Sequence, residues 1–255
     1  MVDSQSKGWR CISASVIGSS HIAQKLPCQD AHATVALDDG TLIVAVADGA
    51  GSAKRSEEGA QLAVQNSLSY LVEHLQTTHP ETAAECEILL EEALKNTRAA
   101  LGTIAPEEKL REVATTLLLT VITDRWLSTV QVGDGAVVCR NQFGSFRVLS
   151  EKGDSEYINE TTFLTSNDYL DHLHRTTLPS EEVNGLAVFS DGIQLLALRY
   201  ADNTAHEPFF RSMFEFAETP TSSCAEMEEF LLSERVCERT DDDKTLVLAI
   251  RHAPH

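Results

Sequence analysis

The sequence predicts an α+β fold in which helices pack on antiparallel sheets. Three observations carry that expectation. Short apolar runs separated by turn residues follow one another from Val113 to Leu149, the pattern of a meander. Two long segments of helical period sit side by side before them. More helical segments gather after Gly192. A parallel sheet would need strand and helix to alternate throughout, and they do not. The chain has 255 residues, 42% hydrophobic and 23% charged, which is ordinary globular composition with enough length to bury a sizeable core. No low-complexity linker and no repeat divides it, so residues 1–255 read as one domain with its core at about 9–251.

Residues 9–18 partly alternate apolar and small polar residues and predict a strand. His21 to Cys28 reads as a loop, with Pro27 against regular structure. Strands are expected at 32–37 and 41–47, joined by Asp38-Asp39-Gly40 as a hairpin turn. The period then changes. Ala60, Val64, Leu68, Leu71 and Leu75 recur at helical spacing from about Ser56 to Gln76. A second helix is expected over 82–102, with Cys86, Leu90, Ala93, Thr97 and Leu101 on one face and Gly102 and Pro106 at its end. The meander runs through 113–123, 126–132, 136–140 and 145–149, with Gly133-Asp134-Gly135 as one of its turns. Residues 150–184 are polar and lose periodicity. A strand at 186–190, a short helix after Gly192, helices at 205–217 and 223–235 and a final strand at 245–251 complete the pattern.

Charge narrows the function. The net charge is −19, a field that repels phosphate backbones and excludes nucleic acid as an expected partner. The same field repels a phosphorylated substrate unless cations are held locally. No apolar run approaches the roughly 20 residues of a transmembrane helix, and Met1 to Lys7 lacks the apolar segment of a signal peptide, so no membrane partner is expected. The six cysteines form no CxxC pair and read as reduced thiols of a cytoplasmic protein.

The chemistry concentrates at three acidic points. The apolar run Leu42 to Ala47 ends in Asp48-Gly49-Ala50-Gly51. Leu186 to Phe189 ends in Ser190-Asp191-Gly192. Asp241-Asp242-Asp243 stands just before Thr245 to Ile250. If the final strand runs antiparallel to the other two, its start lies beside their ends, and the carboxylates gather at one sheet edge. Their oxygens are hard ligands suited to Mg²⁺ or Mn²⁺. Asp-Gly is also the commonest turn dipeptide, and Asp134 taken alone reads as a hairpin turn. His172-Leu173-His174 reads as solvated loop histidines. Lys54 and Arg55 follow the acidic turn at a helix start, where they either attract an anionic substrate or balance local charge.

Six motifs in order give these points a context: Lys25-Leu-Pro-Cys-Gln29-Asp30, Val46-Ala-Asp48-Gly49-Ala50-Gly51-Ser52, Ala114-Thr115-Thr116, Val132-Gly133-Asp134-Gly135, Phe189-Ser190-Asp191-Gly192 and Asp242-Asp243-Lys244-Thr245. Over about 9–251 the chain resembles the metal-dependent serine/threonine protein phosphatases of the protein phosphatase 2C (PP2C) type, and among them the divergent bacterial branch. The resemblance implies an α-β-β-α sandwich of two antiparallel sheets between helices. It implies hydrolysis of phosphoserine and phosphothreonine by water activated at a binuclear Mn²⁺ or Mg²⁺ centre. Asp48 would bridge the ions, Gly49 would give a carbonyl, and Asp191 and Asp242 would complete the set of catalytic and metal-binding residues. Lys25 stands where many relatives bind substrate phosphate through an arginine, and it lacks the bidentate fork. Residues 150–184 correspond to a flap beside the site. A phosphorylated protein as substrate, a partner serine/threonine kinase and a monomeric state go with the resemblance. Four residues depart from the pattern. Gln29 replaces a glutamate, Ala50 a histidine that many relatives use as general acid, and Leu195 an aspartate that with Asp134 would hold a third ion, leaving that site incomplete. Lys25 is the fourth departure. Gln29, Ala50 and Leu195 motivate a second expectation, a catalytically weak regulatory or binding module on the same fold.

Overall fold

The computed structural model describes residues 8–150, 161–199 and 201–251. Along the chain run β1 (Trp9–Val16), α1 (Ser19–Gln24), β2 (Asp30–Ala36) and β3 (Leu42–Asp48), then α2 (Ser56–Leu75) and α3 (Ala83–Ile104). Next come β4 (Leu117–Ile122), β5 (Trp126–Val132), β6 (Ala136–Asn141), β7 (Phe146–Val148), β8 (His174–Pro179) and β9 (Val183–Phe189). The last elements are α4 (Gln194–Ala197), α5 (Glu207–Glu218), α6 (Cys224–Leu232), α7 (Glu234–Cys237) and β10 (Lys244–Arg251). All pairings are antiparallel, in two five-stranded sheets ordered β1-β10-β9-β6-β7 and β2-β3-β4-β5-β8.

Period-two alternation builds the layers. In β3, Ile43, Ala45 and Ala47 pack under α2 and α3 with Ala60, Val64, Leu71, Leu90 and Leu94. Leu42, Val44 and Val46 point the other way and meet Val188, Val247 and Ala249 of the second sheet. The opposite face of that sheet, including Phe189, Leu246 and Leu248, packs with Phe210, Phe214, Met227 and Leu231 from α5 and α6. The result is the expected α-β-β-α sandwich. Both long helices fall within two residues of their expected bounds. A capping box, in which Thr82 and Glu85 each satisfy the other's backbone N–H, starts α3.

Four local expectations are corrected. The meander breaks at Gly133-Asp134-Gly135, which carries the chain from β5 in one sheet to β6 in the other. Gly133 (φ 98°) and Gly135 (φ 88°) take left-handed conformations there, and a Cβ on Gly133 would lie 2.4 Å from Thr116 Cγ2. The strand expected from Val113 starts only at Leu117, because Glu107–Val113 winds as 3₁₀ helix. His21 to Cys28 is not all loop. Its first part belongs to α1, closed by Lys25 in the left-handed region with its N–H on the carbonyls of His21 and Ile22. The polar stretch 150–184 contains β8, an edge strand on β5, while its residues 151–160 lie outside the described residues. His174 begins β8, and His172 stands 3.4 Å from Asp168.

Arg10 joins the far end of the second sheet to the turn after α5. Its guanidinium is almost fully buried and donates to the carbonyls of Ala217, Thr219, Pro220 and Ser222 at 2.6–3.2 Å. Removing it leaves several carbonyls without a donor. Arg10→Met is expected to cost about 3 kcal/mol in urea unfolding. A loss below about 0.5 kcal/mol would mean that water replaces the guanidinium.

Candidate metal centre

The alternation that builds the core also builds the site. On the faces turned between the sheets, the apolar rows end in polar residues on neighbouring strands: Asp30 on β2, Asp48 closing β3, Ser190 after β9 and Thr245 on β10. Asp30 and Asp48 are direct partners across the β2–β3 ladder. Thr116 holds the end of β3, its Oγ1 accepting from Asp48 N at 2.9 Å and its own N–H donating to Asp48 O at 2.8 Å. Gly49 donates to Gln29 O, and a Cβ on it would come within 2.7 Å of Ser56 O, so the glycine lets the first turn of α2 close over the acidic loop.

Asp48, Asp134 and Asp191 each offer a carboxylate oxygen within 4.8 Å of the others. The crossing at Gly133-Gly135 is what delivers Asp134, so that residue is a turn and a member of the acidic cluster at once. Its Oδ2 accepts from Thr161 Oγ1 at 2.7 Å. Asp191 reaches the cluster because Gly192 packs on the acidic run, where a Cβ would lie 1.9 Å from Asp243 O. Asp242 stands near enough for its charge to act on Asp191.

The electrostatics are those of carboxylates forced together. Burial pushes Asp48 well above the usual carboxylate range, and the charges of Asp30 and Asp191 push further. Burial and then Asp134 raise Asp191 to about 6, against a hydrogen bond from Asp48. Asp30 is raised to about 7, first by burial, although Ser190 Oγ and Thr245 Oγ1 both donate to its Oδ2 at 2.7 Å. The buried Oδ1 atoms of Asp30 and Asp191 have no hydrogen-bond partner. Clustered acidic oxygens that repel one another, two of them without a donor, fit a divalent cation of hard character.

The three aspartates at 241–243 play different parts. Asp243 is 2% exposed, with its carboxylate in a backbone clamp. Its two oxygens accept from Gly18 N and Gln29 N, each at 2.6 Å. Asp241 gives its carbonyl to Ser20 N. Asp242 is half-buried, with Oδ1 on the N–H of Asp243. Lys25 is exposed at the end of α1, and Ala50 is buried with its N–H on Ala114 O. Asp30 entered the sequence reading only as the end of the Lys25 to Asp30 motif. Its apolar neighbour Ala31 and the following strand were the signal for its burial.

A family model for protein phosphatase 2C matches residues 17–232. Serine/threonine-protein phosphatase 3 of Escherichia coli (strain K12) is 36% identical over 253 residues, covering 95% of this chain and 98% of that protein. A bacterial serine phosphatase superposes with a TM-score of 0.67 at 13% identity, over 96% of this chain and 98% of its own. A serine/threonine phosphatase of S. agalactiae gives 0.66 at 14% identity, over 96% and 100%. RsbX in complex with magnesium gives 0.61 at 16% identity, over 98% of each chain. At these identities the solved structures show a shared fold.

Proposed function

Because the chain belongs to the protein phosphatase 2C family and is a metal-dependent serine/threonine protein phosphatase, we propose that it hydrolyses phosphoserine and phosphothreonine in proteins at the acidic centre described above. The observation that carries this reading is the convergence of Asp48, Asp134 and Asp191 at the ends of different strands. Asp48 would sit between two ions, with the Gly49 carbonyl on one and Asp191 and Asp242 on the other. Two Mn²⁺ or Mg²⁺ ions held there would supply an activated water and neutralise phosphoryl oxygens.

The chain's own residues do the rest. The β2–β3 ladder and Thr116 fix Asp48. Ser190 and Thr245 fix Asp30 behind it, and the Gly192 contact fixes Asp191 beside Asp242. Lys25, exposed at the end of α1, would hold the phosphate of the substrate as a point charge. The local cations resolve the conflict between a net charge of −19 and an anionic substrate.

The same reading takes residues 1–255 as one phosphatase domain, monomeric and cytoplasmic, acting on the product of a serine/threonine kinase. Among the described residues no helix is long and apolar enough to cross a membrane. The assay is release of phosphate from a phosphothreonine peptide with Mn²⁺, with Mg²⁺ and with chelator. Activity that needs either ion supports the proposal. Equal rates with chelator overturn it, and a chain that binds Mn²⁺ without turnover would be the weak regulatory module.

A further inference from the structure

Hydrolysis of a serine or threonine phosphate expels an alkoxide, a poor leaving group unless it is protonated as the P–O bond breaks. Resting on the function proposed above, we propose that His21 is the proton donor to that oxygen, held in place by Asp243.

Four features place it there. His21 is 7% exposed, and its Nδ1 lies 2.9 Å from Asp243 Oδ2, a charge contact whose N–H is not aligned on the oxygen. Asp243 is itself fixed by Gly18 N and Gln29 N, and Ser20 N binds Asp241 O, so α1 is clamped to the acidic run. The other ring nitrogen faces the catalytic loop: a Cβ on Gly51 would lie 3.9 Å from His21 Nε2 and 4.0 Å from Gln29 Oε1. Gln29 Oε1 is buried and accepts no hydrogen bond. His21 Nε2 and Gln29 Oε1 therefore both lie beside Gly51, two residues beyond Gly49.

In the step assigned to His21, water forms a new bond to phosphorus and the bond from phosphorus to the substrate Oγ breaks. The electron pair of that bond goes to Oγ, and the Nε2 proton of the imidazolium goes with it. Inorganic phosphate and the free hydroxyl leave, and solvent returns a proton to the ring. Asp243, 2.9 Å from Nδ1, holds the ring in place.

The test uses the leaving group. p-Nitrophenolate departs without a proton, so proton donation matters little for p-nitrophenyl phosphate and greatly for a phosphothreonine peptide. In His21→Asn and His21→Ala, kcat with Mn²⁺ on the peptide is expected to fall about 100-fold and that on p-nitrophenyl phosphate by less than about threefold. Mn²⁺ affinity by calorimetry should match the parent. Equal losses on both substrates, or no loss on either, would overturn the assignment. Should neither variant fold, the parent decides: a shallow dependence of kcat on leaving-group acidity supports a proton donor and a steep one rejects it. A parent inactive on both substrates would instead reject the function itself.

Discussion

Asp48→Ala is expected to lower Mn²⁺-dependent phosphopeptide hydrolysis by on the order of 10³-fold or more. Asp48 closes β3 and faces Asp30 across the ladder. It shares a hydrogen bond with Asp191 and feels the charge of Asp134. As the proposed bridge, it is the one side chain whose loss weakens both ion positions together. Asp242→Ala removes a ligand from one position only and should cost less. Because Asp48 is buried among like charges, its removal should also stabilise the metal-free protein. Lower activity with higher metal-free stability is the expected signature. Lower activity with lower stability would mean that Asp48 is mainly a structural residue.

The second large effect is the pH dependence of the metal-free fold. Asp30 is raised to about 7 and Asp191 to about 6, and Asp48 is also raised, with burial the leading cause in each. A carboxyl whose folded pKa lies above its unfolded one binds more protons folded than unfolded. Its contribution is present below the unfolded value, about 4, and is lost as pH rises through the folded value. Stability with chelator should therefore fall by about 4 kcal/mol between about pH 5 and about pH 8 in urea titrations. This is opposite in sign to a salt-bridged aspartate. Asp30→Asn keeps an acceptor for Ser190 and Thr245 while removing the charge, and should flatten the fall by roughly half. Saturating Mn²⁺ should abolish the fall, because bound ions favour the ionised carboxylates. A metal-free protein that gains stability through this window would contradict the account.

Much of this was legible in the sequence because burial and period coincide. The run from Leu42 to Ala47 is fully buried, one face under α2 and one against the second sheet, so it had to be apolar throughout, and Asp48 stood out against it. The long helices were legible from their spacing. What escaped depended on contacts remote in sequence. An edge strand such as β8 buries little and carries no apolar alternation. At Gly133-Asp134-Gly135 the local code specifies a reversal, and only tertiary packing decides which sheet receives the chain. α1 has six residues, too few for a period. The residues alone did not separate Asp242 from Asp243. The clamp on Gly18 and Gln29 does, since it takes up both oxygens of Asp243.

The central claim is that the aspartates at the strand ends form a binuclear centre bridged by Asp48. Calorimetric titration of Mn²⁺ into the metal-free parent and into Asp48→Asn at about pH 7 tests it most directly. The account predicts two ions bound by the parent at micromolar concentrations with release of protons, and at most one, weakly, by Asp48→Asn. Saturation of Asp48→Asn by two ions with the affinity of the parent, or no saturable binding by the parent, would contradict it.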